Sequence, residues 1–438
     1  MIITWGCQMN EDDSGQMSNL MEQMGYRQTE IESDADVIIL NTCSVRAKPE
    51  QKLRSKLGEL RPLKEAKSDL IIVVCGCMAQ REGKALRRTA PFIDIIMGTA
   101  DITELPCLIE QSRQGTRRIT FTDMPALDGE GGTSYISRST GLRRLKAFVP
   151  VMYGCNNFCA YCVVPYARGP ERSRPPEQIV NEISELAFNG CREVTLVGQN
   201  VNSYGQTFDP PVDFSMLLAM VNAIPGLERI RFTTSHPKDL SGGLIDAMAS
   251  LPKICEHLHL PLQSGDDDVL RMMGRKYTVE RYASLINELR SRIPDISITT
   301  DIMVGFPGET DEMFRNTLAT VEQIQYDGAF MFAFNARPRT AAFDMESQID
   351  SKTKNTRLRQ LIEIQNEITY RKNIIREGSI LKVLVEGPND KDGEYMDGYT
   401  SGNKMVIFPA DRDIAGRIVH VMAKKAHPWG FTGELVEI

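Results

Sequence analysis

Three cysteines lie close together in the middle of the chain, where Cys155, Cys159 and Cys162 form a C-x3-C-x2-C pattern. Thiolates bind zinc and iron–sulfur clusters, and an ordinary cluster is closed by four of them. A cluster held by three thiolates has one iron open to a substrate or cofactor, as a catalytic metal site has an open position. The alternatives are a structural zinc site, which usually needs four ligands from paired C-x2-C units, and buried free cysteines. The spacing favours the iron–sulfur site.

A second set of cysteines, Cys7, Cys43 and Cys77, is spread through the first quarter of the chain. Each follows a short β-like run, at 2–5, 37–40 and 70–74 respectively. Open α/β sheets bind ligands outside the carboxyl ends of their strands, so three cysteines at such ends can converge. The pattern predicts a second cluster with three thiolates and one open iron. Three thiols without metal are the alternative.

The other four cysteines have no comparable partners. Cys75 competes with Cys77 as a ligand, but its place inside an apolar run predicts a core residue facing away from the strand end. Cys107, Cys191 and Cys255 are predicted to be core or incidental residues. A disulfide framework is not expected, because no secretory signal is visible and the predicted location is therefore the reducing cytoplasm.

The elements that must position these cysteines fall into three segments. Residues 1–123 alternate β-like runs with helical stretches, which predicts a parallel α/β sheet domain, and 124–144 is a predicted linker. Residues 145–376 alternate again, which predicts a complete or partial βα barrel of the TIM type, with Cys155 on the first βα loop at the catalytic face. Residues 377–438 hold short β-rich runs between turn residues, which predicts a small antiparallel β-barrel. The predicted strands of the middle segment are 148–151, 194–197, 230–233, 257–260, 296–300 and 329–334.

Composition limits the partners. The chain of 438 residues is 42% hydrophobic and 25% charged, which is normal for soluble globular protein, and no apolar run is long enough to span a membrane. The formal charge of −7 argues against indiscriminate nucleic-acid binding, although local basic patches remain available to an RNA enzyme. One such patch is 351–376, and another is formed by Arg138, Arg143, Arg144 and Lys146. Each is equally well explained as a solvated face.

The C-x3-C-x2-C pattern, with Tyr161 just before its third cysteine, resembles the radical S-adenosylmethionine (SAM) superfamily. The resemblance implies that the open iron is chelated by the amino and carboxylate groups of SAM. The segment 190–193, ending at Glu193, resembles the superfamily's segment near the SAM amino group, although an ordinary helix stop explains it equally well. The segment 301–310, with Gly305, resembles the one that packs the adenine. Arg172 or Arg174 could pair with the carboxylate.

Three further motifs make the resemblance more specific. Gly-Cys-Gln-Met-Asn at 6–10, Asn-Thr-Cys-Ser-Val-Arg at 41–46 and Gly-Cys-Met-Ala-Gln-Arg at 76–81 closely resemble the N-terminal motifs of radical SAM methylthiotransferases. The match implies an auxiliary 4Fe–4S cluster at Cys7, Cys43 and Cys77 beside the radical SAM 4Fe–4S cluster at Cys155, Cys159 and Cys162. The segment 398–403 makes the C-terminal barrel look like a TRAM domain, an RNA- or substrate-binding module.

The first two motifs, together with 198–205, look like the branch of the family that acts on N6-isopentenyladenosine beside the tRNA anticodon. The resemblance implies that one SAM methylates a sulfur on the auxiliary cluster. A second SAM is cleaved reductively, and the resulting radical allows methylthio transfer to C2 of the adenine. Sister branches act on threonylcarbamoyl-adenosine or on a ribosomal-protein aspartate. An iron–sulfur RNA-binding or electron-transfer protein is the non-enzymatic alternative, and it would not need an open iron.

The same resemblance predicts a tRNA anticodon stem-loop as partner, a flavodoxin- or ferredoxin-type electron donor, and a monomer. Candidate substrate residues are Gln199, Asn200 and Arg337. The chain departs from the family pattern at Asn335 and Arg339, where serine and glycine are usual. We expect Arg339 to alter a turn near the end of the barrel.

Overall fold

The structure is a computed structural model that describes residues 1–44, 47–99, 102–123, 145–390, 392–410 and 414–437. The predicted linker 124–144 lies outside these residues, as do three arginines of the second basic patch: Arg138, Arg143 and Arg144. The described elements form three groups. Residues 124–144 separate the first group from the second, and the boundary between residues 376 and 377 separates the second from the third. We therefore keep 1–123, 145–376 and 377–438 as the proposed domains.

The first group is a parallel sheet whose strands follow chain order. Its strands are β1 (Ile2–Trp5), β2 (Val37–Thr42), β3 (Ile71–Cys75), β4 (Ile95–Met97) and β5 (Ile119–Phe121), and its helices are α1 (Gln8–Gln23), α2 (Ala47–Ala66), α3 (Cys77–Thr89) and α4 (Leu105–Arg113). Successive side chains of a strand point to opposite faces of the sheet, and the run 37–40 of β2 is apolar throughout, so both faces of this strand are apolar there. Ile38 and Leu40 pack with α2 and α3, while Val37 and Ile39 pack with α1 and α4. The predicted parallel α/β domain is confirmed.

The second group is a partial βα barrel. Its strands are β6 (Lys146–Pro150), β9 (Glu193–Val197), β10 (Arg229–Phe232), β11 (His257–His259), β12 (Ser297–Val304) and β13 (Gly328–Ala333), and a short antiparallel pair, β7 (Met152–Tyr153) and β8 (Arg172–Ser173), follows β6. Two parallel sheets, β10-β9-β6 and β11-β12-β13, are joined by a bridge between Ile230 and Ile254. The helices are α5 (Val164–Arg168), α6 (Pro176–Phe188), α7 (Phe214–Asn222), α8 (Gly242–Ser250), α9 (Asp267–Met272), α10 (Val279–Arg292), α11 (Asp311–Ile324) and α12 (Ser351–Ile374).

Alternation along the barrel strands separates the outer core from the interior. On β12, Ile298 and Ile302 are fully buried in the core that the helices share. Thr299, Asp301 and Met303 alternate with them and are only partly buried, so they face the barrel interior. The interior therefore carries the polar side chains of Thr299 and Asp301.

The third group is a closed five-stranded barrel. Its strands, β14 (Ile380–Pro388), β15 (Tyr395–Thr400), β16 (Met405–Pro409), β17 (Ile418–His427) and β18 (Gly430–Glu437), lie in the order β14-β15-β16-β18-β17. The predicted small β-barrel is confirmed, with one departure from antiparallel pairing: β16 and β18 are parallel. The barrel docks against the amino ends of the central strands, because Arg231 donates to the carbonyls of Ser401 at 2.8 Å and Thr400 at 2.7 Å.

The turn after β13 contains one of the two departures from the family pattern. The Thr340 amide donates to the Arg337 carbonyl at 3.2 Å, with Pro338 and Arg339 between them. Arg339 has φ +72°, the left-handed conformation that a type II turn needs at this position and that glycine adopts most easily. The arginine therefore keeps the turn and occupies a strained backbone conformation.

Replacing Arg339 by glycine is expected to raise the free energy of unfolding by about 1 kcal/mol, because the left-handed cost disappears. Thermal or urea unfolding measures the change. Asn403→Gly is the matched control: Asn403 also has positive φ, +60°, but asparagine tolerates this conformation and should gain less. Equal gains at both positions would contradict the strain at Arg339.

Candidate functional site

Cys7, Cys43 and Cys77 meet at one edge of the first sheet. Cys7 precedes α1 after β1, Cys43 follows β2, and Cys77 begins α3 after β3. The three strands are neighbours and parallel, so their carboxyl ends lie side by side. The Cys7 and Cys43 thiols are hydrogen-bonded, and Cys7 lies close enough for its charge to act on the Cys77 thiol. The structure thus brings together the three cysteines that the sequence separates by up to seventy residues.

A buried amide network fixes this edge. Asn10 donates to Asn41 Oδ1 at 3.0 Å, and Asn41 donates to the Asn10 carbonyl and to Ser14 Oγ, both at 2.9 Å. Gly76, at φ +89°, passes so close that a Cβ there would lie 2.4 Å from Asn41 Oδ1. These contacts explain why an asparagine and a glycine accompany the cysteines: they hold the three strand ends in register.

Cys155, Cys159 and Cys162 lie on the loop that follows β6 and β7, at the carboxyl end of the barrel strands. The Cys162 amide donates to the Cys159 carbonyl at 2.9 Å, and the Ala160 amide donates to the Met273 carbonyl at 2.9 Å, so the loop is tied to itself and to the end of α9. Cys155 and Cys159 are buried and Cys162 is partly exposed. Desolvation by the surrounding protein raises the pKa of the Cys162 thiol to about 12, with the neighbouring Cys159 adding to the rise.

One buried arginine accompanies each cysteine set, and sequence analysis missed both. Arg275 Nη1 lies 3.5 Å from Cys159 Sγ, and its Nη2 donates to the Pro261 carbonyl at 3.2 Å. Arg168 contacts the Cys77 thiol. The hydrogen bond with Cys43 lowers the pKa of the Cys7 thiol to about 6, and the charge of Arg168 adds to that fall against the effect of desolvation. A cation beside a thiol favours the thiolate, which is the form that binds metal.

The donor chemistry at both sets fits an iron–sulfur cluster. Each set offers three thiols without a disulfide, and each has a cation beside it. Among the residues that the structure describes, no three His, Cys, Asp or Glu side chains are arranged to hold a single metal ion. A cluster asks for a different arrangement, because each thiolate binds its own iron.

Two buried acceptors after β9 point to a ligand at the mouth of the barrel. Gln199 Oε1 and Asn200 Oδ1 are buried and have no hydrogen-bond partner among the described residues. Asn200 is held in place by its Nδ2 group, which donates to Asp239 Oδ2 at 2.7 Å. Since a buried acceptor without a partner is costly, these two oxygens suit N–H or O–H groups of a bound molecule.

The structure does not bring Glu193 to this site, contrary to the prediction. Glu193 pairs in register with Lys146, so it lies at the amino end of its strand and the cysteines lie beyond the carboxyl end. Its carboxylate is 3.1 Å from Arg231 Nε and 3.4 Å from Lys146 Nζ. These partners hold its pKa below the usual value despite burial. Glu193 therefore belongs to the interface with the C-terminal barrel.

The remaining predicted residues have varied surroundings. Arg174 donates to the Pro150 carbonyl and pairs with Glu182 at 2.9 Å, so its guanidinium supports β6. Arg337 pairs with Glu50 of the first segment at 3.1 Å. Contact of either arginine with SAM or substrate stays a prediction.

Tyr161 and Gly305 lie closer to the cysteine loop. Tyr161 packs with the small core under that loop, and the charges of Arg275 and Cys159 act on its hydroxyl group. Gly305 has φ +72°, and its amide donates to Glu309 Oε2 at 2.7 Å. Their contact with SAM stays a prediction too.

The two cysteine sets face one mouth. Met9, two residues after Cys7, packs with Tyr153, two residues before Cys155, and with Val197 at the end of β9. This contact places the edge of the first sheet over the carboxyl ends of the barrel strands. Two sets of three thiols and two orphaned acceptors therefore surround the entrance to the barrel.

Comparison with known proteins agrees with this architecture. Residues 1–98 match the model described as Uncharacterized protein family UPF0004, 149–321 match the Radical SAM superfamily, and 376–436 match the TRAM domain. A tRNA-2-methylthio-N(6)-dimethylallyladenosine synthase of Moorella thermoacetica is 46% identical over 100% of this chain and 98% of its own length. The synthase of the same name from Clostridium novyi is 46% identical over 99% and 96%.

Solved structures share the fold at much lower identity. The radical S-adenosylmethionine methyltransferase TsrM from Kitasatospora setae has a TM-score of 0.54 and 17% identity over 75% of this chain and 66% of that chain. The cobalamin-dependent radical enzyme OxsB has a TM-score of 0.54 and 11% identity over 83% and 54%. These likenesses support the fold alone. The identity over full length to the synthases decides the family: the chain belongs to the radical SAM methylthiotransferases, with the tRNA-2-methylthio-N(6)-dimethylallyladenosine synthases as its relatives.

Proposed function

We propose that this protein methylthiolates C2 of N6-isopentenyladenosine next to the anticodon of tRNA, giving 2-methylthio-N6-isopentenyladenosine. The observation that carries the proposal is the pair of three-cysteine sets at one barrel mouth, in a chain 46% identical over its full length to synthases named for this product. An aromatic C–H carbon has no acidic proton, so acid–base residues cannot activate it and a radical cofactor is needed.

The chain's own cysteines would hold the cofactors. Cys155, Cys159 and Cys162 would hold the cluster that binds SAM, and Cys7, Cys43 and Cys77 the auxiliary cluster. When bound, these groups supply the radical and the sulfur. The protein keeps both sets at one mouth, and the buried oxygens of Gln199 and Asn200 accept hydrogen bonds from the bound molecule.

The barrel interior supplies a place for the target base. His259 faces inward on β11, with Nδ1 3.0 Å from Thr299 Oγ1 and Nε2 3.5 Å from Asp301 Oδ1. Phe330, paired in register with Asp301 on the edge strand β13, is 58% exposed, and its ring lies edge-on to His259 at 5.7 Å. An exposed ring beside polar groups suits a planar base, which must leave its stack in the anticodon loop to enter. We assign base stacking to Phe330.

Replacing Phe330 by alanine is expected to raise KM for tRNA about tenfold, because one base–aromatic stack contributes about 1–3 kcal/mol. Reductive SAM cleavage without tRNA should stay within about twofold of the wild-type rate, since the cysteines are untouched. Phe188→Ala is the matched control: Phe188 is 91% exposed at the end of α6 on the outside of the barrel. A KM that rises equally in both variants would contradict the stacking role.

The partners follow from the substrate. The net charge of −7 leaves tRNA binding to local patches, and the C-terminal barrel with the basic helix α12 is the proposed contact for the anticodon stem-loop. An external one-electron donor of the flavodoxin or ferredoxin type, a monomeric state and a cytoplasmic location remain part of the proposal. None of the helices in the described ranges is long and apolar enough to cross a membrane.

The substrate test compares three tRNA preparations under anaerobic conditions with SAM and dithionite: isopentenylated, threonylcarbamoylated and unmodified. Nucleoside mass spectrometry should find 2-methylthio-N6-isopentenyladenosine from the first alone. A methylthio product from threonylcarbamoyl-adenosine, or on ribosomal protein, would keep the chemistry and overturn the proposed substrate. SAM cleavage without any methylthio product would overturn the proposed reaction.

A further inference from the structure

A short helix connects the two cysteine sets physically. Helix α5 starts two residues after Cys162 and ends at Arg168, and it packs against α3, which begins at Cys77. The Thr99 hydroxyl of the first segment donates to the Ala167 carbonyl, which anchors the end of α5. The loop that carries one cysteine set therefore leads directly into a contact with the other.

Arg168 reaches from this helix into the first segment. Its Nη2 lies 2.6 Å from Asp13 Oδ2, and the side chains of Arg168 and Asp13 are 5% and 6% exposed. The same guanidinium contacts the Cys77 thiol, and its charge acts on Cys7. Asp13 lies on α1, the helix that begins after Cys7, so the ion pair joins the helix that follows Cys162 to the helix that follows Cys7.

An ion pair in this position needs a reason beyond holding two segments together. Removing two charges from water costs several kcal/mol per ion, and apolar residues of similar volume stabilise such a contact equally well. The two segments are also joined by the Arg337–Glu50 pair at 3.1 Å. The distinguishing feature of Arg168 is its contact with the auxiliary cysteines.

We propose that Arg168, held by Asp13, is a positioning residue that fixes the auxiliary cysteines at a set distance from the Cys162 loop and compensates part of their negative charge. The charge compensation depends only on a cluster at Cys7, Cys43 and Cys77. The coupling of the two sets rests on the proposed function.

Two consequences follow from this placement. Net charge and hydrogen bonds to the sulfurs set the reduction potential of an iron–sulfur cluster, so removing the cation should make the auxiliary potential more negative. A looser contact between α5 and α3 should let SAM cleavage proceed without methylthio transfer, because small misplacements of reacting groups are costly.

The first experiment isolates the auxiliary cluster. In a Cys155→Ala, Cys159→Ala, Cys162→Ala background, potentiometry followed by electron paramagnetic resonance gives its reduction potential. Arg168→Gln is expected to make this potential more negative, and Arg168→Lys, which keeps the cation, should restore most of the shift. Equal potentials in all three proteins would overturn the charge role, whether or not the protein modifies tRNA.

The second experiment uses the full chain with all cysteines and measures methylthiolated nucleoside per 5′-deoxyadenosine. Arg168→Gln should lower this ratio at least tenfold and Arg168→Lys at least threefold, with iron per chain unchanged in the lysine variant. Lys64→Gln is the control and should keep the wild-type ratio, because it breaks a partly buried ion pair with Asp94 at the amino ends of β3 and β4, the edge of the first sheet opposite the cysteines.

Should Arg168→Gln fail to hold iron, the lysine variant decides: a wild-type ratio there overturns the coupling role. A tenfold fall in Lys64→Gln as well would overturn the coupling role, because any loss of a buried ion pair in the first segment would then have the same effect. A wild-type protein that forms no methylthiolated nucleoside would defeat the proposed function, and the potentials would still decide the charge role.

Discussion

Cys7→Ala is expected to abolish methylthio transfer, lowering product formation more than a thousandfold, while 5′-deoxyadenosine formation from SAM stays within about threefold of wild type. We expect this because the two cysteine sets are separate. Cys7 lies at the edge of the first sheet, and its replacement leaves the three thiols of the Cys155 loop unchanged. Loss of a ligand that is needed only for the transferred group should stop methylthio transfer and leave SAM cleavage intact. Liquid chromatography with mass detection measures both products in one reaction.

Cys107→Ala is the matched control, because Cys107 is also an exposed cysteine of the first segment, on α4. It should keep both activities. Since Cys7 is exposed, its replacement leaves no core cavity, so unfolding does not explain a loss. Methylthio transfer that survives in Cys7→Ala would contradict the assignment of Cys7 to the auxiliary cluster.

Glu193→Gln is expected to lower the free energy of unfolding by about 3 kcal/mol, because it leaves the cations of Arg231 and Arg229 buried with one negative partner fewer. The carboxylate is 3% exposed, 3.1 Å from Arg231 and 3.9 Å from Arg229. Both arginines also donate to carbonyls of the C-terminal barrel, so the loss should loosen that barrel first. Urea unfolding measures the change.

The same variant separates the two positions considered for Glu193. At a temperature where it remains folded, it should bind and cleave SAM at close to the wild-type rate. A KM for SAM raised tenfold or more in the folded protein would place Glu193 at the cofactor after all, against its position at the amino end of β9.

The strands and the cysteine sets were predictable because each rests on local information. A β-branched run followed by Gly-Cys or Asn-Thr-Cys marks a strand end, and parallel strands bring such ends together whatever their separation in the chain. The β-rich runs predicted for the C-terminal segment are 380–386, 404–408, 416–421 and 433–436. They omit β15, because its sequence, Tyr-Met-Asp-Gly-Tyr-Thr, has no clear alternation of apolar and polar residues.

The two arginines beside the thiols could not be found in this way. Arg168 lies 91 residues from Cys77, and Arg275 lies 116 residues from Cys159. A lone arginine carries no local signal of its partner, and only the packing of α5 on α3 or of the segment after α9 under the loop reveals it. The structure places Glu193 away from the predicted cofactor site. Its local motif is clear, but the motif predicts only a strand boundary and not which end of the barrel faces the cofactor.

The central claim is that two separate cysteine sets each hold a cluster, and counting iron tests it most directly. After anaerobic reconstitution, iron and sulfide per chain should each be about eight in the wild type, as two 4Fe–4S clusters require. They should be about four in a Cys7→Ala, Cys43→Ala, Cys77→Ala variant and in a Cys155→Ala, Cys159→Ala, Cys162→Ala variant. About four irons per chain in the wild type, with no change in one of the two triple variants, would contradict the presence of two clusters.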